Sequence, residues 1–203
     1  MTASSVLLVA LVLARPIGTL QWQSAKELAE FIRSEYPGPE SAVEAERTLR
    51  DATAAHPDDP SYAGVYGSWL FHQGRTGDAY GHLVRACRSL KGESLCTAAA
   101  ATDLAAGRWH DAVSIAAVFP ETACYRSNRL WVLKHLETDL KRAVERAKGL
   151  IREEPLHEVS YLLLAAAYHL SHDDQRAAEQ LRIGRQKASR IILLNQVAWE
   201  VPK

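Results

Sequence analysis

Apolar positions along this chain recur three and four residues apart, and nowhere alternate with polar ones over a strand's length, which predicts helix after helix and no sheet. The clearest marker is an alanine. Ala45, Ala79, Ala112, Ala143 and Ala177 stand in equivalent helical contexts, separated by 34, 33, 31 and 34 residues. Four residues after each comes Leu49, Leu83, Ala116, Ala147 or Leu181, and seven after comes Ala52, Ala86, Phe119, Leu150 or Gly184. Those offsets put the three positions on one face of a helix. Twelve residues before three of the alanines lie Gly67, Ala100 and Ala165, small enough for a preceding helix to approach closely. A period of about 34 residues predicts a repeated helical hairpin that buries its apolar face only by stacking.

Punctuation agrees with the period. Gly74 and Gly107 lie five residues before Ala79 and Ala112, where a glycine ends the preceding helix in the left-handed conformation. Pro57 and Pro155 stop two of the marked helices. Ser24 with Glu27 forms a capping box ahead of the stripe Ala25, Leu28, Ala29, Ile32. Asp59-Pro60 sets an N-cap before a proline at the first helical position, and Pro37-Gly38-Pro39 forces a turn. Ser189 is expected to cap a last helix through Ile191, Leu194, Ala198 and Trp199, closing the exposed end of the core.

On these residues the chain resembles the tetratricopeptide repeat family. Tyr161, Leu164, Ala165, Tyr168, Ala177, Leu181 and Gly184 match the family's aromatic, large and small positions best, followed by Gly67, Leu70, Gly74, Ala79, Leu83 and Ala86. The middle copies depart from the pattern: Asp103 and Lys134 stand at aromatic positions and Trp131 at a small one. In the first copy Arg33 and Glu40 occupy small positions. The resemblance covers residues 24–190 and implies an all-α, right-handed solenoid of antiparallel helix pairs, about four to five repeats. The expected organisation is an apolar segment 1–23, a repeat domain 24–190, and a capping helix and tail 191–203.

The family binds chiefly through the first helix of each pair, on the concave side. Carried onto this chain by the alanine register, that implies a column of Phe71, Leu104, His135 and His169, flanked by Ser68, His72, Asn128 and Leu162. These are the expected contacts for a protein partner, an extended or helical segment docked largely on apolar surface. One branch of the family clamps a peptide carboxylate with Lys and Asn; the corresponding positions here are Gly64, Ser68, Thr97, Ala101, Val132 and Ala166, with Arg129 the one cation nearby. The clamp is therefore not expected. The competing expectation for the groove is that the chain's own N-terminal segment fills it.

Charge and composition narrow the function. Lys+Arg and Asp+Glu both number 24, giving a formal net charge of +0, so nothing draws the whole chain to nucleic acid, and no nucleic-acid partner is expected. Val6 to Ala14 is an unbroken apolar run ended by Arg15-Pro16, shorter than the roughly 20 residues of a membrane-spanning helix. Three readings fit it: a signal segment cleaved after Ala14, an anchor continuing through Ile17, Leu20 and Trp22, or a helix packed on the first repeat. The first two make the protein exported or membrane-tethered in a bacterial envelope, the third cytoplasmic.

Catalytic signatures are missing: no phosphate-binding loop, dinucleotide fingerprint, His-Glu-x-x-His or Gly-x-Ser-x-Gly occurs, and a non-enzyme without a cofactor is expected. The alternative is a small-molecule or metal-binding protein using groove histidines, either His169 and His172 beside Asp173 and Asp174, or His135 with His169. The wide spacing of Trp22, Trp69, Trp109, Trp131 and Trp199 suits core anchors better than a stacking platform. Cys87 and Cys96 are nine residues apart across a predicted turn, within disulfide reach and similar to the staple of secreted, cysteine-rich helical-pair repeats of bacteria. Export would leave them bonded and Cys124 free; a reducing compartment would leave all three as small buried thiols.

Overall fold

The computed structural model describes residues 24–118 and 128–199. Val6–Ala14, Trp22, Phe119 and Cys124 lie outside these residues. All regular structure described is helical: ten α-helices and one short 3-10 turn, Pro39–Ser41. The chain is all-α, as the periodicity predicts. In order the helices are α1 Ala25–Glu35, α2 Ala42–Ala55, α3 Pro60–His72, α4 Thr76–Leu90, α5 Glu93–Ala105, α6 Trp109–Ala117, α7 Asn128–His135, α8 Leu140–Glu153, α9 Glu158–Leu170 and α10 Asp174–Lys187. None of them is long and apolar enough to cross a membrane. The molecule divides into two compact units at Tyr66 and Gly67, inside α3.

In the first unit, Ser24 caps α1 by accepting the Glu27 N–H at 3.3 Å. Leu28 and Ile32 of α1 and Ala45, Leu49 and Ala52 of α2 are buried, the stripes read from the sequence. The α2 helix stops at His56, whose ring stacks on Tyr62 with centroids 4.2 Å apart. Asp59 then accepts the Ser61 N–H at 2.8 Å and starts α3. That bond holds its carboxyl below the usual range.

In the second unit consecutive helices from α4 to α10 pack on one another. The marker alanines Ala79, Ala112, Ala143 and Ala177 are all fully buried. The small residues are required by close approach. A Cβ on Gly67 would come within 2.9 Å of His82 Cβ, and one on Gly184 within 2.8 Å of Tyr161 Cβ. Gly74 and Gly107 take φ of +78° and +75°, the left-handed turns expected of them. Cys87 at the end of α4 and Cys96 in α5 form a disulfide, with Cα atoms 4.8 Å apart. Closing so short a loop stabilises the folded chain by roughly 2–3 kcal/mol.

Two expectations fail. Residues 191–199 form no helix but a run of turns. No carbonyl-to-amide ladder is available to a segment whose polar groups are drawn off to other helices: Leu193 N–H to Glu158, Ala198 N–H to Ala105, and Leu194 C=O to Arg185. The described tryptophans, Trp69, Trp109, Trp131 and Trp199, are half-buried edge residues and not core anchors. The buried residues are mostly alanine and leucine, with Tyr62 the largest fully buried side chain of the first unit and Tyr161 of the second.

Asp103, the departure at an aromatic position, is wholly buried at the α5 side of the α5–α6 turn. It accepts bonds from Tyr80 Oη at 2.8 Å and Arg108 Nε at 2.7 Å. Arg108 also lies over the Tyr80 ring, 5.1 Å from its centroid. A three-membered polar network therefore replaces the aromatic contact. Burial and the Asp103 bond push the Tyr80 hydroxyl up to about 12, and burial raises the Asp103 carboxyl against the pull of its two donors.

Candidate functional site

The helices α3, α5, α7 and α9 are the first members of successive pairs in the expected register. Beyond their neighbours in sequence, α5 packs on α7 and α9, and α7 on α9. That convergence brings three helices together, and the second half of α3 joins them at the cleft. The parts of this face differ sharply.

At one end is an open cleft of about 210 Å³. The second half of α3 supplies Ser68, Phe71 and His72, and the first half of α5 supplies Glu93, Ser94, Thr97 and Ala98. Arg129 of α7, with His157 and Val159 at the start of α9, completes it. Phe71 meets the His72 ring edge-on at 5.9 Å. The Arg129 side chain is only 16% exposed and pairs through Nη2 with Glu154, the residue closing α8. Its Nε is buried with no hydrogen-bond partner. His157 accepts the Val159 N–H on Nδ1, which caps α9. Burial, and then the Arg129 charge, hold His157 below the usual histidine value. The cleft is thus apolar on the Phe71–Val159 side and hydroxyl-bearing at Ser68, Ser94 and Thr97, with one carboxylate, Glu93, and one guanidinium, Arg129, which Glu154 pairs.

Beside the cleft, residues 189–199 run from the start of α9 to the end of α5. Ser189 donates to Leu156 C=O. Leu193 N–H donates to the Glu158 carboxylate at 2.9 Å, and Arg185 donates to Leu194 C=O at 2.7 Å. Gln196 Nε2 donates to Gly74 C=O at 2.9 Å, and its Oε1 meets the Thr76 hydroxyl. Ala198 N–H donates to Ala105 C=O at 2.8 Å, and the Trp199 indole to Leu104 C=O at 3.0 Å. The last two acceptors belong to the final turn of α5, where helical carbonyls lack partners within the helix. Burial raises the Glu158 carboxyl, against the Leu193 and Leu194 N–H groups.

The eight expected contact residues divide accordingly. Ser68, Phe71 and His72 line the open cleft. Leu104 and Leu162 are fully buried and offer no surface. His169 is screened: its ring lies 4.9 Å from Trp199 and 5.6 Å from Trp109, and its Nδ1 is 2.7 Å from Asp174. His135 folds back on its own helix, stacked on Trp131 at 3.9 Å with Nδ1 on the Trp131 carbonyl. The side chain of Asn128 lies outside the described part of the molecule. His135 and His169 therefore have separate partners, and among the described residues no group of three or more His, Cys, Asp or Glu gathers to hold a metal.

The sequence reading missed His157 and Val159, and expected the covering segment as a helix where turns form. Arg129 and Thr97 were noted without being joined into one site. A helix-start residue such as His157 has no periodic signal, and the helix-like spacing of Ile191, Leu194 and Ala198 does not report the turns that form there. Comparison with models of known protein families gives no match, and comparison with curated proteins gives none either. The functional reading rests on the geometry.

Proposed function

We propose that this chain is a non-catalytic interaction module, a right-handed tetratricopeptide-like solenoid of antiparallel helix pairs, that holds a segment of a protein partner against the open cleft. The observation that carries the reading is the convergence of four helices on the cleft of Ser68, Phe71, Thr97, Arg129 and Val159. Its volume of about 210 Å³ falls below the roughly 300–1,000 Å³ typical of small-molecule sites. It suits one or two side chains of a longer segment, an apolar one against Phe71 and Val159 and a polar or acidic one toward Arg129. A membrane tether through Val6–Ala14 is part of the same proposal and rests on the sequence alone.

The test is purification of the full chain from its native cells, with partners and stoichiometry identified by mass spectrometry. The same is done for Phe71→Glu and, as a remote control, Val43→Glu, whose side chain is exposed. The partner should fall at least tenfold with Phe71→Glu at unchanged helicity and stay with Val43→Glu. Stoichiometric recovery with Phe71→Glu would rule the cleft out.

A further inference from the structure

The covering segment meets a receptor built for it. Leu193 and Leu194 are both fully buried. The socket of Leu194 exists because residue 184 is glycine: a Cβ there would stand 2.9 Å from Leu194 Cδ1. Glu158 takes the Leu193 N–H. Trp199 wedges against Trp109, with ring centroids 5.3 Å apart, while its indole reaches the end of α5. Most of the polar contacts use main-chain atoms of the segment, or main-chain carbonyls of the receptor, so the face reads a spacing of apolar groups more than a particular sequence.

A shallow groove of about 450 Å³ runs along the seam, lined by Arg190–Ile192, Asn195 and Gln196 on one side and His72 and Gly74 on the other. Two side-chain contacts bridge it, Arg190 to His72 and Gln196 to Gly74. The segment has no helix of its own; beyond two turn bonds, Asn195 N–H to Ile191 C=O and Gln196 N–H to Leu193 C=O, its order comes from docking. Two buried leucines and a half-buried tryptophan oppose the conformational entropy of about ten ordered residues, terms of comparable size. Segments so balanced open locally, without unfolding what lies beneath.

We infer that Arg190–Trp199 is a self-ligand: a strap that covers one end of the partner-binding face, opens as a unit, and is replaced there by a partner segment of the same pattern, two adjacent leucine-sized side chains with an aromatic ring five residues on. This rests on the face being a binding face, and the strap can be tested separately from the cleft.

Amide exchange on the full chain provides the first test. The Leu193 and Ala198 amides and the Trp199 indole N–H should exchange together, at least tenfold faster than the central amides of α9 and with weaker denaturant dependence. Exchange at the α9 rate with the α9 denaturant dependence would make the segment ordinary core and overturn the proposal. In the second test, a labelled synthetic peptide of residues 190–199 is titrated into wild type and into full-length Trp199→Ala. Affinity should be at least tenfold higher for the variant, because the tethered competitor is weakened, and a scrambled peptide should bind neither. Equal affinity for both chains at intact helicity, or equal binding of the scrambled peptide, would overturn it. Loss of helicity in Trp199→Ala would also count against it, since a strap leaves the underlying fold standing. If the strap opens and accepts the peptide while Phe71→Glu keeps its partner, the cleft reading fails alone.

Discussion

The two ends of the α3–α5–α7–α9 face use the same helices in the same register, yet one is open and the other covered. At the open end the face carries Ser68, Phe71, Thr97 and Arg129 and is bounded by helix starts. At the covered end it carries Leu104 and His169, and the α5–α6 turn supplies main-chain carbonyls that Ala198 and Trp199 satisfy. The difference teaches that a position on one face of packed helices is not by itself a contact position. What decides is whether another part of the chain answers the apolar surface and the carbonyls of the last helical turn. Here residues 189–199 cross from Leu156 and Glu158 at the start of α9 to Leu104 and Ala105 at the end of α5, and leave the Phe71 cleft open beside them.

The largest effect that would break this comparison is expected at the footing of the covered end. Arg108→Ala leaves the Asp103 carboxylate buried without its ion-pair partner, and should cost about 3 kcal/mol in urea unfolding followed by circular dichroism. A cost under about 1 kcal/mol, the level of an exposed pair, would show that Asp103 is not held by Arg108 in solution.

A sharper contrast comes from matched truncations. Leu194→Ala empties a fully buried socket and should cost roughly 2–4 kcal/mol, less any part recovered if the segment simply lifts off. Phe71→Ala, half-exposed in the open cleft, should cost under about 1 kcal/mol. Equal costs would erase the distinction between a covered and an open end.

The smallest effect is on pH dependence. His72, His82 and His157 all sit below the usual histidine value, burial first and then Arg190, Arg85 and Arg129 respectively. A histidine depressed in the folded state binds fewer protons folded than unfolded. Its stabilisation is complete above the ordinary value of about 6.5 and is lost as the pH falls through the lower folded value. Glu158, raised by burial, works in the opposite sense near the carboxylate range. The urea midpoint should therefore hold from pH 8 to 7 and fall below pH 6.5. His72→Gln should remove part of that fall, because protonation of His72 also sets it against Arg190, which donates to its Nδ1 at 2.6 Å. An unchanged profile in His72→Gln would separate that contact from the acid response.

The all-helical class, the helix stripes and the turn glycines were legible in the residues alone. Local chemistry dictates them: the spacing of Ala79, Leu83 and Ala86 settles which side of α4 is apolar wherever that helix goes, and a left-handed turn needs Gly74 in any setting. The cysteine spacing likewise bounded the loop that the disulfide closes. Half of the candidate site was legible too, in Ser68, Phe71 and His72. Only the tertiary structure decided the rest. Leu104 is core and Phe71 is partly exposed, although both stand eight residues before a marker alanine, and the Trp199 indole reaches the Leu104 carbonyl from some ninety residues further along the chain. That segment carries a helix-like spacing in Ile191, Leu194 and Ala198, and its backbone groups bond instead to Glu158, Arg185 and Ala105. Those partners are distant in sequence, and periodicity reports only which face of an element is apolar, never what comes to cover it.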